Sequence, residues 1–541
     1  MNRPSFHTTD AWESLKKEAA RFSTGEYHLR TLLNDPNRFA RFSIKLEGFL
    51  FDFSKQRINK TVFSNLCTMA EELGTKKRFT DMTEGKTVNK TENRAALHTA
   101  ARDFSGKTAS AGAENAGKEI RKVHEKIRDF VKEVHEGRIT GSTGKRFTDV
   151  VVVGIGGSYL GASFVNTALG YQYKRIMDLH FLSNVDIDNF AGVMAKTDPE
   201  STLFIIISKS YTTVETMANL NQLRGYLEHR NIDPQSHLVT VTSRSSPGDN
   251  PSDPVIETFH MFDFIGGRYS VTSAVGGVPL SLAFGFDVFE EFLKGAHEMD
   301  RIAETAGIGK NPPLVAALIN LWNSNGLDYN ALGIIPYSTA LSELPAHIQQ
   351  LYMESLGKAV TMDGSPVRYK TGMLLFGGPG TNAQHSFFQL AHQGMAFPME
   401  FIGVVKPGFT GDQLKSNGIT NHQELWANMV SQTRALALGK ENKEDPARHF
   451  TGNRPSSTIV IKDLSAFYIG MLLSFYEART VYEGFLLDIN PFDQFGVELG
   501  KKLAGDIRKE IAKKNRNQAH TFHDLDHATR FYLETIFSGT L

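Results

Sequence analysis

The chain has 541 residues, 40% of them hydrophobic and 22% charged, and Lys plus Arg equals Asp plus Glu at 59 each. That balance argues against a nucleic-acid binder or a basic membrane-surface protein, either of which would carry an excess of positive charge. One cysteine, Cys67, excludes an intramolecular disulfide and a multi-cysteine zinc site, and fits a reducing compartment.

At roughly 150 residues per domain the length implies three or four units, or two large ones with extensions. Residues 1–22 lack the apolar core of a secretion signal. The most apolar stretches, 150–165 and 464–476, carry glycines or polar residues and fall short of a membrane span. A cytoplasmic protein without membrane contact is expected. Residues 1–114 are mixed and charged and read as a helical N-terminal extension, with a helix over 10–22. A second helical stretch covers 113–137, and the small residues of 106–117 read as a loop or linker.

From residue 148 short apolar runs alternate with amphipathic segments. Residues 149–155 read as a buried strand, followed by a glycine-rich turn and a helix from about Ser158. A second strand over 203–207 precedes a helix whose Val214, Met217, Leu220, Leu223 and Leu227 share one face, and a third strand covers 237–242. Strand candidates recur at 331–336, 372–376, 401–404 and 458–461. Strands alternating with helices imply parallel βαβ units. The expected fold is therefore α/β, with two doubly wound parallel-sheet domains over 115–290 and 300–510 and a helical arm over 511–541.

Two loops have the makings of an anion site. Gly154-Ile155-Gly156-Gly157-Ser158 joins a strand to a helix, where free backbone N–H groups favour an anion and glycine permits close approach. A plain tight turn uses the same residues. The glycine spacing does not match a dinucleotide fingerprint, and no Walker-type Lys-Ser/Thr follows. Ser208-Lys209-Ser210-Tyr211-Thr212-Thr213, with Thr216 one turn on, again lies between strand and helix. Several short hydroxyls beside helix N-terminal amides suit the many lone pairs of a phosphate monoester. An N-cap with incidental hydroxyls is the simpler reading of that run.

Acid–base candidates follow. Gln350 and Glu354, four apart, share a face if 347–354 is helical, and a carboxylate suits removal of a proton beside a carbonyl. Gln494, Glu498 and Lys501 have helical spacing too. Gly266-Gly267-Arg268 puts a fixed positive fork after two glycines, and His385 closes the glycine-rich run 377–385. Each alone is also what a surface residue or structural ion pair looks like. His520, His523, Asp524, Asp526 and His527 have metal-ligand chemistry but no ligand spacing, and a helix start capped by Asp524 or Asp526 is the better reading.

In this order, the motifs resemble the glucose-6-phosphate isomerase (phosphoglucose isomerase) family, together with 50–58, Thr91-Glu92-Asn93-Arg94 through Arg102, and Thr451-Gly452-Asn453-Arg454-Pro455. The resemblance implies two sugar-isomerase (SIS-type) domains and interconversion of glucose 6-phosphate and fructose 6-phosphate, in glycolysis and gluconeogenesis. It implies no metal and no cofactor. Gly157, Ser158, Ser208, Lys209, Ser210, Tyr211, Thr212, Thr213, Thr216 and Gly267 would bind the sugar phosphate, with Gln350 and Gln494 close to it. Glu354 would move the proton between C2 and C1, Arg268 would face the enediolate, and His385 and Lys501 would assist ring opening. The family is dimeric, so a homodimer is expected, with His385 entering the site from the neighbouring subunit. Tyr159, Ser210, Gly378 and Leu356 depart from the commonest family residues, and none removes a proposed catalytic group. A non-catalytic sugar-phosphate sensor, a nucleotide-dependent oxidoreductase and another sugar-phosphate isomerase are the competing readings.

Overall fold

The computed structural model describes residues 5–106, 110–111, 114–409, 411 and 414–541. Much of the 106–117 loop expectation, at 107–109 and 112–113, lies outside the described residues. Two compact units are present, Met1–Phe492 and Asp493–Leu541.

The first unit holds both large sheets. Strands β1 (Ser43–Leu46) and β2 (Phe49–Asp52) form an N-terminal hairpin. The following strands are β3 (Asp149–Val153), β4 (Asp178–Leu182), β5 (Thr202–Ile207), β6 (Leu238–Ser243) and β7 (Glu257–Met261). Then come β8 (Ala331–Tyr337), β9 (Leu374–Gly377), β10 (Met399–Val404) and β11 (Ser456–Ile461). The first sheet has the order β4-β3-β5-β6-β7 and is wholly parallel. The second has the order β1-β2-β11-β10-β8-β9; β8 to β11 are parallel, and β2 joins β11 antiparallel, Asp52 opposite Thr458. The N-terminal extension is mostly helical, as expected, but its hairpin completes a sheet whose other strands lie far along the chain.

The run Val150-Val151-Val152-Val153 shows why β3 sits in mid-sheet. All four are fully buried. Alternate residues take opposite faces, and Val150 and Val152 join the large core cluster while Val151 and Val153 join a smaller one with Leu220, Leu223 and Leu227. Covering both faces is what a parallel sheet requires.

Helix α1 (Ala116–His135) buries Ile120, Val123, Ile127, Phe130, Val131 and Val134, one stripe at helical spacing. Its first turn is capped by Asn115, whose side chain accepts from the Lys118 N–H. Two further helices have no polar face because they lie wholly inside: α2 (Ala274–Phe284) and, later in the chain, Ala466–Leu486. The latter crosses α3 (Phe286–Thr305) at backbone contact. A Cβ on Gly295 would stand 1.7 Å from the Phe467 carbonyl oxygen, and one on Gly470 2.0 Å from that of Phe292.

Helix Ala466–Leu486, here α4, carries charge into this interior. Arg102, also buried, meets Asp300 through Nε at 2.6 Å and Glu477 at 2.5 Å. Arg479 donates to both Glu400 oxygens at 3.1 Å. Burial pushes the Glu477 and Glu483 carboxyls up to about 7.

The second unit contains α5 (Glu498–Arg516) and α6 (His527–Ser538), and Asp526 caps α6 by accepting from the Thr529 N–H. The divisions drawn from the sequence at 290–300 and 510 fall inside helices α3 and α5. No helix among the described residues is long and apolar enough to cross a membrane.

Candidate active site

In the first sheet the chain leaves β3, adds β4 on one side, and crosses back to place β5 on the other. At such a reversal the two connecting loops diverge beyond the carboxyl ends of the strands and leave a crevice where ligands bind. The loops there are the two that the sequence singled out. Gly156–Ser158 forms one tight turn before the helix Leu160–Leu169, with Gly156 in the left-handed region at φ 60°. Residues 208–213 lead into the helix Val214–Glu228. Neither helix has its first turn capped by the side chain of its cap residue, Tyr159 or Thr213. Uncapped N–H groups at a helix start attract an anion.

Within the second loop Ser208 Oγ, buried, donates to Thr213 Oγ1 at 3.2 Å and accepts from the Tyr211 N–H at 3.1 Å. Ser210 Oγ and Thr212 Oγ1 lie 2.7 Å apart. Thr216 is buried one turn into the helix. Two expectations need refinement. Lys209 directs its ammonium to the Asp263 carbonyl at 3.0 Å, and burial lowers its pKa, with Arg94 adding to the effect. Tyr211 turns its ring into the core, where burial pushes the phenol up to about 12; its own contribution to the loop is a backbone at φ 53°. Val214, expected on the buried face of the helix, is 43% exposed at its first turn.

A third segment closes on the first loop. Ser158 follows Gly157, and a Cβ on Gly157 would stand 2.3 Å from the Gly267 carbonyl carbon and 2.7 Å from the Arg268 nitrogen. Only glycine allows the two backbones to touch. Arg268, 3% exposed, is held by two arms. Its Nε donates to Ser355 Oγ at 2.6 Å and Nη2 to the Pro491 carbonyl at 2.7 Å, and Nη1 stands 3.8 Å from Glu354 Oε2.

Glu354 ends a π-helical turn, Gln350–Glu354, that widens the helix begun at Leu344–Gln349. Such turns are rare and concentrate at functional sites. The Glu354 side chain is 23% exposed. Gln350 keeps a buried Oε1 with no hydrogen-bond partner, and its Nε2 lies 3.1 Å from where a Gly156 Cβ would be. An unsatisfied buried acceptor beside a glycine loop is positioned for a ligand hydroxyl. The first sheet thus supplies the anion loops, and the turn before β9 supplies a carboxylate beside a fixed guanidinium.

His385 follows the short helix Gly380–Gln384 beyond β9 and is exposed in the single chain. Gln494 and Lys501 belong to the second unit. Gln494 precedes a tight turn at Phe495–Val497, with φ −151°, so it stands outside α5 and does not share a helical face with Glu498 and Lys501. Lys501 is exposed on α5. Among the described residues no group of three or more His, Cys, Asp or Glu is placed to hold a metal ion.

The phosphoglucose isomerase family model matches residues 52–529. The chain belongs to the phosphoglucose isomerase family. It is 55% identical over 531 residues to a glucose-6-phosphate isomerase of Desulfosudis oleivorans, covering 97% of each chain. A cytosolic glucose-6-phosphate isomerase of Spinacia oleracea is 39% identical over 94% of this chain and 92% of its own. The crystal structure of a glucose-6-phosphate isomerase from Chlamydia trachomatis superposes with a TM-score of 0.88 at 34% identity, over 99% of this chain and 100% of that one.

Sequence reading of this phosphoglucose isomerase family member missed the groups that aim the site. Ser355 anchors Arg268 and lies 3.0 Å from the Tyr269 hydroxyl, and Tyr269 stacks on the buried His98 with ring centroids 4.6 Å apart. Ser355 adjoins Glu354, but nothing in its spacing signals a partner 87 positions earlier in the chain. His347, three residues before Gln350, is buried against Phe164 with neither ring nitrogen partnered, and burial pushes its pKa down to about 4.

Proposed function

We propose that the chain performs its family's reaction, glucose 6-phosphate to fructose 6-phosphate and back, with Glu354 as the proton-transferring base. Ser158, Ser208, Ser210, Thr212, Thr213 and Thr216, with the amides at the two helix starts, hold the phosphate, and Lys209 braces the loop that carries them. Gly157 and Gly267 keep the loops in contact, and Gln350 accepts from a substrate hydroxyl. After ring opening, Glu354 removes the C2 proton of the aldose. The electron pair forms the C1–C2 double bond and the carbonyl oxygen becomes an enediolate. The O2 hydroxyl proton passes to O1, Glu354 returns the carbon-bound proton to C1, and C2 is left as the ketose carbonyl.

A positioned base supplies about 10²–10⁴-fold, whereas enzymes need at least ~10⁶-fold. The remainder requires a fixed positive group at the developing oxyanion, worth about 3–4 kcal/mol. Arg268 fits that part, since two of its arms are already tied to Ser355 and Pro491. The observation that carries the proposal is the guanidinium of this immobilised arginine 3.8 Å from the Glu354 carboxylate.

His385 and Lys501, in the ring-opening step, and Gln494, near the substrate, enter through the family resemblance. The exposed position of His385 suits a residue lent to a second copy in a homodimer. A cytoplasmic location fits the single cysteine and the name of the spinach relative.

The test is conversion of fructose 6-phosphate to glucose 6-phosphate by purified protein in excess chelator, with Glu354→Gln alongside. Strong activity lost at least a hundredfold in the variant supports base and reaction together. Activity in both removes Glu354 from its role. Activity in neither, with sugar phosphate still bound, favours a sensor.

A further inference from the structure

The π-turn that ends in Glu354 needs something to keep it wide. Converting it to an ordinary α-helical turn would change the register of every later residue by one, which rotates Glu354 by about 100° around the helix axis. Ser355 braces the turn on its exit side through Arg268 and Tyr269. The middle of the turn is braced from the opposite direction. Tyr352, 1% exposed, donates its hydroxyl proton to Glu483 Oε1 at 2.6 Å. Asn320 Nδ2 donates to the other oxygen, Oε2, at 2.8 Å. The Arg479 guanidinium lies 5.9 Å from the centre of the Tyr352 ring, and its own carboxylate partner is Glu400.

Glu483 is 1% exposed on the helix that also buries Glu477 and Arg479, and the Arg479 guanidinium favours its charged form. Burying a carboxylate is costly, and a core position would ordinarily hold a hydrophobic residue. Its two oxygens take one donor from the π-turn and one from the helix Pro312–Leu321. The Tyr352 phenol is held by Glu483 and by the backbone of Met373. Its bond to Glu483 joins the one turn carrying Gln350 and Glu354 to the rigid centre of the molecule.

We propose that Glu483 is a positioning residue for the isomerase reaction, fixing through Tyr352 the π-turn that presents Gln350 and Glu354 to the substrate. This rests on the reading of Glu354 as the base. Tyr352 and Glu483 touch no reacting atom; they act through the orientation of that carboxylate. Loss of their bond therefore lowers turnover and leaves the phosphate loops, on the other sheet, intact.

Three variants test this, each assayed for kcat and KM with fructose 6-phosphate beside Glu354→Gln. Tyr352→Phe keeps the ring and deletes the bond; kcat is expected to fall about tenfold, as a partial misplacement of the base does, with KM within about twofold. Glu483→Gln can leave its amide nitrogen facing the Asn320 amide or reverse the bond to Tyr352, whose hydroxyl also accepts, and kcat falls less than in Tyr352→Phe. Glu483→Gln with Asn320→Asp fixes one orientation, the glutamine donating to Asp and accepting from Tyr352, and is expected to recover kcat to within about threefold of the wild type. Wild-type kcat in Tyr352→Phe, or no recovery in the exchanged pair although it melts like the wild type, overturns the proposal. If Glu354→Gln itself stays active, the assignment of the base has failed instead, and the two failures are told apart by that one variant.

Discussion

The contact between Gly157 and Gly267 sets a severe test of how the crevice is assembled. In Gly157→Ala the new methyl would lie 2.3 Å from the Gly267 carbonyl carbon and 2.4 Å from its oxygen. Ordinary carbon contacts are about 3.5–4.0 Å, so the loops must part by about 1 Å. Both sides are backbone and cannot swing aside as a side chain can. Overpacking of this kind costs about 1–3 kcal/mol of stability. The functional cost falls at the upper end of that range, because the displaced segment carries Arg268, whose Nη1 stands 3.8 Å from Glu354. A misplacement of about 1 Å is worth about 10²-fold in rate. Coupled assay of glucose 6-phosphate formation should therefore show kcat/KM down about a hundredfold in a folded protein. Gly225→Ala is the control: it lies in the helix Val214–Glu228 with open space around it and should be neutral or slightly stabilising. Activity of Gly157→Ala within threefold of wild type would refute the claim that this contact holds the arginine in place.

The remaining expectations concern assembly, pH and packing. Mixing His385→Ala with Glu354→Gln subunits, each inactive alone, should restore about a quarter of wild-type activity if His385 serves the neighbouring copy, since half the dimers then hold one intact site; no recovery would place His385 in its own subunit's site. Glu483, pushed up to about 7 from an ordinary 4.5, binds its proton more tightly when folded, so its contribution to stability is full below 4.5 and lost as pH rises through 7. Urea unfolding of Glu483→Gln should show a shallower decline, the remainder coming from Glu477, which is also pushed up to about 7. His347, pushed down to about 4 from 6.5, does the reverse: its contribution is full above 6.5 and lost as pH falls through 4, and His347→Phe should flatten the acid-side loss. Gly470→Ala puts a Cβ 2.0 Å from the Phe292 carbonyl oxygen where two core helices cross, and should cost about 1–3 kcal/mol in denaturant titration. Cys67, with its thiol pushed up to about 11 by burial, should react slowly with a thiol reagent at neutral pH and quickly once the chain is unfolded.

The central strands were legible because each is a continuous apolar run, as in Val150–Val153 or Leu203–Ile207. The edges were not. β4 reads Asp-Leu-His-Phe-Leu and β7 reads Glu-Thr-Phe-His-Met, and in both only alternate or fewer residues are buried. The N-terminal hairpin has only a weak local signal, Glu47-Gly48 between the alternating Ser43–Leu46 and the apolar run 49–51, with Gly48 at φ 67°. Loop chemistry was readable for Ser208 and Thr213, since hydroxyls cluster there. The direction of the Tyr211 ring has no signal in the sequence: the left-handed backbone turns it inward beneath Gly248. The spacing of Gln350 and Glu354 allows a helical turn but does not distinguish a π-turn from an ordinary one over so short a span, and what braces the wider turn lies on distant parts of the chain.

The N-terminal hairpin also fixes an order of events during synthesis. β2 pairs with β1 on one edge and finds its other partner only in β11, and Gln56 bonds Ser457, 401 positions later. At about 5–20 residues per second, roughly 20–80 s pass between the emergence of one and the other. Through that interval Phe49, Leu50 and Phe51 have no sheet to join on that side, although two of the three end up fully buried. The first strands made are thus among the last to be seated, and a ribosome-bound chain shorter than about 460 residues must carry an apolar edge that only a holding factor or the half-formed core can shield.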